Sequence, residues 1–253
     1  MSNKYFILYA NCIAVKGHSQ SLICDLEKSN YQLIPNIFYD ILLESKIKTV
    51  NEIKVHFDNQ YDDGIDMYFE RLNTEDLGFF TDEPQNFSNI DLGYNTPSII
   101  TNALIDINEI PINLDEIIVQ LDKLGCHTIQ LRFFEKVSIS DLNKILDYTD
   151  NKRFRSVELY LKYTYETDDS NLLSILDNYR RVSFIAVYNS SHKRKINGHN
   201  IFYVNDNNVN EKSCGKISQN YFTVNYPMFT ESQKLNSCLN QKISVDVNGE
   251  IKN

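Results

Sequence analysis

Ile99-Ile-Thr-Asn-Ala-Leu-Ile-Asp-Ile107 is an apolar run, and directly beyond it the period changes. Leu114, Ile117, Ile118, Leu121 and Leu124 recur at helical spacing, between a start signal at Asn113 and Glu116 and a stop at Gly125. The pattern then repeats. A strand over His127 to Phe134 precedes a helix from Ser140 carrying Leu142, Ile145 and Leu146. A strand over Ser156 to Tyr163 precedes a helix from Asp169 through Tyr179, and a fourth strand covers Val182 to Tyr188. Ile201 to Val204 is a candidate for one more. Strand-helix units of this length predict parallel strands joined by right-handed crossovers. The fold class is therefore α/β, with an open, partial parallel (β/α) barrel of three or four units over residues 91–210.

Upstream the texture differs. Tyr5 to Tyr9, Cys12 to Val15 and Ser21 to Leu26 are short extended runs separated by turn-forming residues, which predicts a small antiparallel sheet. Ile34, Ile37, Phe38, Ile41 and Leu42 then recur at helical spacing around Pro35, a residue suited to a first helical turn. Thr49 and Glu52 form a capping-box pattern for a second helix, through Phe57. Ile65, Tyr68, Phe69 and Leu72 mark a third, with Gly78 as its stop and Phe79-Phe80 beyond. The polar stretch Phe87 to Pro97 reads as a linker. Three strands and three helices thus make a first domain over residues 1–90.

Composition bounds the function. The chain has 253 residues, 42% hydrophobic, enough for a sizeable core and against disorder. With 34 acidic against 25 basic residues, the net charge of −9 argues against sequence-independent nucleic-acid binding, which needs basic surface. Neither a membrane-spanning run nor a cleavable-signal layout is present, so a cytoplasmic protein is expected, with no membrane partner. Five scattered cysteines fit reduced thiols better than a disulfide framework.

The tail over residues 211–253 carries the most specific motifs. Cys214-Gly-Lys, the run Tyr221-Phe-Thr-Val-Asn225 with Phe229-Thr-Glu-Ser-Gln233, and Cys238-Leu-Asn lead into Ile243-Ser-Val-Asp-Val-Asn-Gly-Glu-Ile-Lys-Asn253. There the alternation of Ile243, Val245 and Val247 and the pair Asn248-Gly249 predict a two-residue hairpin turn. These motifs resemble the SPASM-domain peptide maturases of grasp-with-spasm systems, encoded beside ATP-grasp ligases. The resemblance implies a radical-SAM-like barrel and an auxiliary iron-sulfur site. Here the hairpin meets the end of the sequence, so a truncated SPASM-like tail is expected. Radical SAM chemistry needs Cys-x3-Cys-x2-Cys after the first barrel strand, and the corresponding loop, Asn108 to Asn113, has no cysteine. No cofactor is therefore expected. An iron-sulfur site completed by a partner chain is the alternative, with Cys214 and Cys238 as candidate metal ligands and His192 and His199 as conceivable additions.

The order of the first domain is similar to the winged-helix element with which many peptide-modifying enzymes hold a precursor's leader peptide, including the peptide chaperone of pyrroloquinoline-quinone assembly. Such domains add the leader as a strand beside the third strand, against the third helix. Carried over, this implies a peptide-binding groove lined by Ser21, Leu22, Ile23, Cys24 and Asp25 on the strand and by Met67, Tyr68 and Arg71 on the helix. The implied function is recognition of a precursor peptide and scaffolding beside an ATP-grasp ligase. Other constellations are weaker. Asp62-Asp63 and Asp168-Asp169 read as helix-start carboxylates, Glu135 as a solvated carboxylate at a strand end, Cys126 as a buried junction residue, and His192 to Lys195 as a charged loop.

Overall fold

The computed structural model describes residues 3–111, 113–206, 209, 210, 213 and 223–252. They fall into two compact units, Met1–Tyr94 with Ile217–Ser237, and Asn95–Lys216 with Cys238–Asn253. The first boundary lies a few residues beyond the expected one. The tail is divided between the units instead of forming a third.

The first unit contains β1 (Tyr5–Leu8), β2 (Cys12–Val15), β3 (Ser21–Asp25), β4 (Asn30–Ile34), α1 (Asn36–Glu44), α2 (Val50–His56), α3 (Asp62–Thr74) and β5 (Gly78–Thr81). Its strands correct the expected pairing. β1 does not join β2 and β3; it pairs antiparallel with β5, Phe6 opposite Phe80 and Leu8 opposite Gly78. A turn closed by Cys12 N–H on the Tyr9 carbonyl at 2.8 Å separates β1 from β2. Edge-on packing of Phe6 against Phe80, with ring centres 5.2 Å apart, strengthens the β1–β5 pair. β4, which the sequence reading missed, completes a three-stranded antiparallel sheet in the order β2-β3-β4. Ile34 fits the helical repeat that follows but ends β4, because Pro35 disfavours the helical region for the residue before it.

The helices form where expected. Pro35 opens α1, and the Thr49–Glu52 capping box opens α2 with both reciprocal bonds made. Asp62 and Asp63 occupy the first turn of α3, where the helix dipole favours carboxylates. Phe6, Ile23, Phe38, Ile53, Phe69 and Leu72 meet in the core. A further helix, α7 (Tyr226–Ser232), belongs to this unit; Asn225 Oδ1 caps it and the Tyr226 hydroxyl donates to the Asp91 carbonyl.

The second unit contains β6 (Asn102–Ile107), α4 (Leu114–Lys123), β7 (Thr128–Phe133), α5 (Ile139–Thr149), β8 (Ser156–Lys162), α6 (Asp169–Asn178), β9 (Val182–Tyr188), β10 (Arg194–Lys195), β11 (Ile201–Tyr203), β12 (Lys242–Val245) and β13 (Ile251–Lys252). Among the described residues these strands form an eight-stranded sheet in the order β10-β11-β9-β8-β7-β6-β12-β13. Its six inner strands are parallel, and β10 and β13 are antiparallel additions at the two ends. The architecture is α/β with a mostly parallel sheet, as the strand-helix alternation predicts. Each crossover helix sends one apolar stripe to one sheet face: Ile118 of α4, Leu142 of α5 and Leu172 of α6 join Ile105, Leu131 and Leu159 in a single core. Gly125, at φ 81, closes α4. Asn113 stands at the start of α4 but its side chain makes no capping bond, and Ser138, not Ser140, caps α5 by accepting from Asp141 N–H.

The tail hairpin is an integral part of this sheet, because β12 pairs parallel with β6 from Lys242 opposite Asn102 to Val245 opposite Ile105. Its loop differs from the expected two-residue turn. Gly249 N–H reaches the Asp246 carbonyl at 2.9 Å and Asp246 N–H the Glu250 carbonyl at 3.0 Å, leaving a three-residue loop with Gly249 at φ 81. The Asp246 carboxylate selects it, with Oδ1 accepting from the N–H groups of Asn248 and Glu250, each at 2.9 Å, and Oδ2 paired with Lys252. Lys252 first and the Glu250 N–H next hold the Asp246 carboxyl below the usual carboxylate range. A carboxyl lowered by folding contributes stability above its unfolded pKa, and that contribution is lost as pH falls through the folded value. Amide exchange at Asp246 and Gly249, whose N–H groups close the loop, is therefore expected to be slow at neutral pH and to lose protection as pH drops below about 4. Asp246→Asn should show the unprotected behaviour at both.

Candidate functional site

In the first unit, β3 lies between β2 and β4, with Leu22 opposite Val15 on one side and Leu33 on the other. Its backbone is engaged on both sides, so the expected groove strand cannot receive an added strand. This corrects the reading of Ser21, Leu22, Ile23, Cys24 and Asp25 as an open edge. Ser21 is buried, its Oγ donating to Asn36 Oδ1 at 2.7 Å, and Ile23 and Cys24 are core. Burial pushes the Cys24 thiol up to about 11, and burial followed by the Asp25 charge pushes Cys12 up to about 12, so both are poor nucleophiles. The end strand on this side is β4, where Leu33 is 54% exposed.

Tyr68 stacks on Phe38, ring centres 4.4 Å apart, and both line an apolar pocket of about 580 Å³ with Ile37, Phe57, Gly64 and Ile65. Met67 is 60% exposed, and Arg71 Nε reaches Glu75 Oε1 at 2.9 Å. A second pocket, about 330 Å³, lies at the other end of β4, walled by Ile23, Asp25, Lys28, Asn30, Gln32 and Glu75. Because Ile65 lines the first pocket and Glu75, just past the end of α3, lines the second, α3 runs from one to the other. On the strand side the order is reversed, from Asn30 at the second pocket to Ile37, just after β4, at the first. The two pockets thus lie toward opposite ends of β4 and α3, one apolar and one polar and carboxylate-bearing. A larger pocket, about 1000 Å³, flanks β2 between Ile13, Leu42, Phe79 and the turns at residues 9–11 and 84–89.

In the second unit the sheet has an apolar face against the helices and a polar face opposite. Parallel register aligns the residues of this face in rows: Lys242, Asn102, Thr128 and Ser156 in one; Ser244, Leu104, Gln130 and Glu158 in the next. Gln130 Nε2 donates to Glu158 Oε2 at 2.7 Å. Asp106 and Arg132 face each other on the third row. Arg132 Nε and Nη2 donate to the two Asp106 oxygens at 2.6 and 2.8 Å, and Nη1 donates to the Ser213 carbonyl at 3.0 Å. Both side chains are buried. Sequence reading passed over these residues, and the signal was the regular alternation of Asp106, Gln130, Arg132, Glu158 and Lys162 with apolar neighbours. In strands covered by helices on one side, that alternation marks a polar opposite face.

The remaining candidates are structural. Glu135 pairs with Lys162 at 3.1 Å. Asp168 caps α6 through Asn171 N–H, and Asp169 is held by both terminal nitrogens of Arg194, which lies 4.0 Å over the Tyr203 ring. Arg194 is thereby committed within the basic run His192 to Lys195. Cys126 is fully buried, donating to the Thr128 carbonyl at 3.2 Å, and burial raises its thiol to about 11. Cys238 lies on the wall of a pocket over the polar sheet face, while Cys214 lies outside the described residues. Among the described residues no group of three or more His, Cys, Asp or Glu side chains is placed to hold a metal, and no helix is long and apolar enough to cross a membrane. Neither models of known protein families nor curated proteins give a match to this chain.

The Asp106–Arg132 pair offers a direct test of the polar face. Removing one partner strands a buried charge, so Arg132→Met is expected to lower the unfolding free energy by about 3–5 kcal/mol in a urea titration. Arg132→Met with Asp106→Leu should cost clearly less than Arg132→Met alone.

Proposed function

We propose that this chain recognises a precursor peptide and acts as a scaffold in the maturation of a ribosomally synthesised peptide, beside an ATP-grasp ligase. In this reading the first unit is a winged-helix-like recognition domain. The second is a partial (β/α) barrel related to the radical SAM core, and β12 and β13 are its SPASM-like hairpin. The observation that carries the reading is that β4 is the end strand of a three-stranded sheet, with an apolar pocket of about 580 Å³ between α1 and α3 beyond its C-terminal end. An end strand pairs readily with an extended peptide: main-chain hydrogen bonds supply affinity and side-chain pockets supply choice. The peptide strand therefore lies beside β4, with one apolar side chain in the pocket between α1 and α3. Holding the peptide next to the ligase raises its effective concentration, by an amount set by the tether and not by new contacts.

The test uses overlapping synthetic 15-residue peptides covering the small proteins encoded next to the gene, with binding read by fluorescence polarisation. Gly64 lies in α3 on the pocket wall, and a Cβ added there meets no atom within 4 Å. Gly64→Phe should therefore fold normally, since removing a helical glycine is favourable by up to about 1 kcal/mol, while its ring occupies the pocket. The expected result is binding by the natural chain and a loss of at least about tenfold in Gly64→Phe. Absence of binding overturns the reading. Undiminished binding in Gly64→Phe moves the peptide away from β4, toward the larger pocket beside β2.

A further inference from the structure

The polar pocket carries more information than the apolar one. Asp25 is 2% exposed, lies in the wall of the 330 Å³ pocket, and uses only one of its oxygens. Oδ1 accepts from Asn11 Nδ2, Glu27 N–H and Lys28 N–H, each at 3.0 Å, whereas Oδ2 is buried with no hydrogen-bond partner. A buried carboxylate oxygen left without a donor is costly. The nearby cations are engaged elsewhere: Lys28 is drawn to Asp76 at 3.8 Å and Arg71 bridges to Glu75 at 2.9 Å. Among the described residues Asp25 makes no ion pair. The pocket wall thus holds a buried carboxylate that makes no ion pair, with Lys28, Glu75 and the amides of Asn30 and Gln32 around it.

We infer that this pocket receives the cationic side chain, lysine or arginine, of the peptide bound along β4, four positions from the apolar residue that fills the pocket between α1 and α3. The inference rests on the peptide-binding reading above and adds a specificity element to it. The spacing follows from the two elements that run between the pockets. Ile65 and Glu75 are ten positions apart along α3, about 15 Å at the rise of a helix. An extended peptide covers that distance in four to five residues at about 3.3 Å each, and only an even spacing returns a side chain to the same face. A spacing of four satisfies both. An ammonium or guanidinium there supplies the missing donor to the buried carboxylate, and charge-assisted hydrogen bonds of that kind are the stronger ones. The acidic balance of the chain, −9 overall, favours approach of such a peptide.

A positional-scanning library of fluorescein-labelled decapeptides, leucine fixed at one position and each neighbouring position varied, measures the preference directly on the full chain. Lysine and arginine should be favoured over glutamine by about tenfold or more at the position four residues from leucine, on one side only. Asp25→Asn keeps an oxygen for the three N–H donors and should reduce that preference to about twofold or less. Glu75→Gln, on the surface, should reduce it partly without affecting folding. Thermal melts of both variants separate lost specificity from lost structure, and replacing the peptide lysine by norleucine repeats the test on an unaltered protein. Peptides that bind with no basic preference at that spacing overturn this inference and leave peptide recognition standing. A library in which no peptide binds overturns both.

Discussion

Asp25 ends β3 and ties the turn that leads into β2 to the turn between β3 and β4. Its Oδ1 takes a hydrogen bond from Asn11, just before β2, and two more from the backbone of Glu27 and Lys28, in the turn that returns the chain as β4. With Ser29 at φ 53, the turn fixes the register in which Asn30 faces Asp25 and Ile34 faces Ser21. Slipping that register by one residue would turn Ile34 out of the core and Leu33 into it. The register of β4 therefore depends on one buried carboxylate. The same carboxylate lies in the wall of the polar pocket.

The second unit solves a different problem. Parallel strands joined by helices bury one face by construction, and here the opposite face of the sheet is polar at regular intervals. The cost of placing Asp106 and Arg132 in a buried position is offset by two-pronged pairing and by the third bond to the Ser213 carbonyl, which together satisfy the fork of the guanidinium. β12 contributes Lys242 and Ser244 to the same rows through its parallel pairing with β6. A segment far along the chain thereby becomes part of the sheet, and its hairpin is held as much by Asp246 as by strand pairing.

The crossover units were legible because period and punctuation agreed: Gly125 after α4, Asp168 before α6, and strands such as Val182–Tyr188 written as continuous apolar runs. The capping box of α2 was legible for the same reason, since both partners of the bond lie within four residues. β4 was not, because Asn30-Tyr-Gln-Leu-Ile34 offers only two apolar positions beyond its tyrosine and shares Ile34 with the helical repeat that follows. The pairing of β1 with β5 was not legible either, since a strand partner more than sixty residues away leaves no local trace. The candidate site was half legible. The helix that carries Tyr68 could be read from its apolar period, whereas the end strand of the sheet is β4 and not β3.

By itself the sequence determined the elements whose causes are local: helix starts and stops, the strand-helix alternation that makes this an α/β protein, and the acidic surface. Tertiary structure alone decided which strand became an edge, because hydrogen-bond partners across a sheet are chosen by turns and packing at a distance. It decided equally that one oxygen of Asp25 is buried without a donor, since burial and partnership are properties of everything folded around a residue and not of the residue.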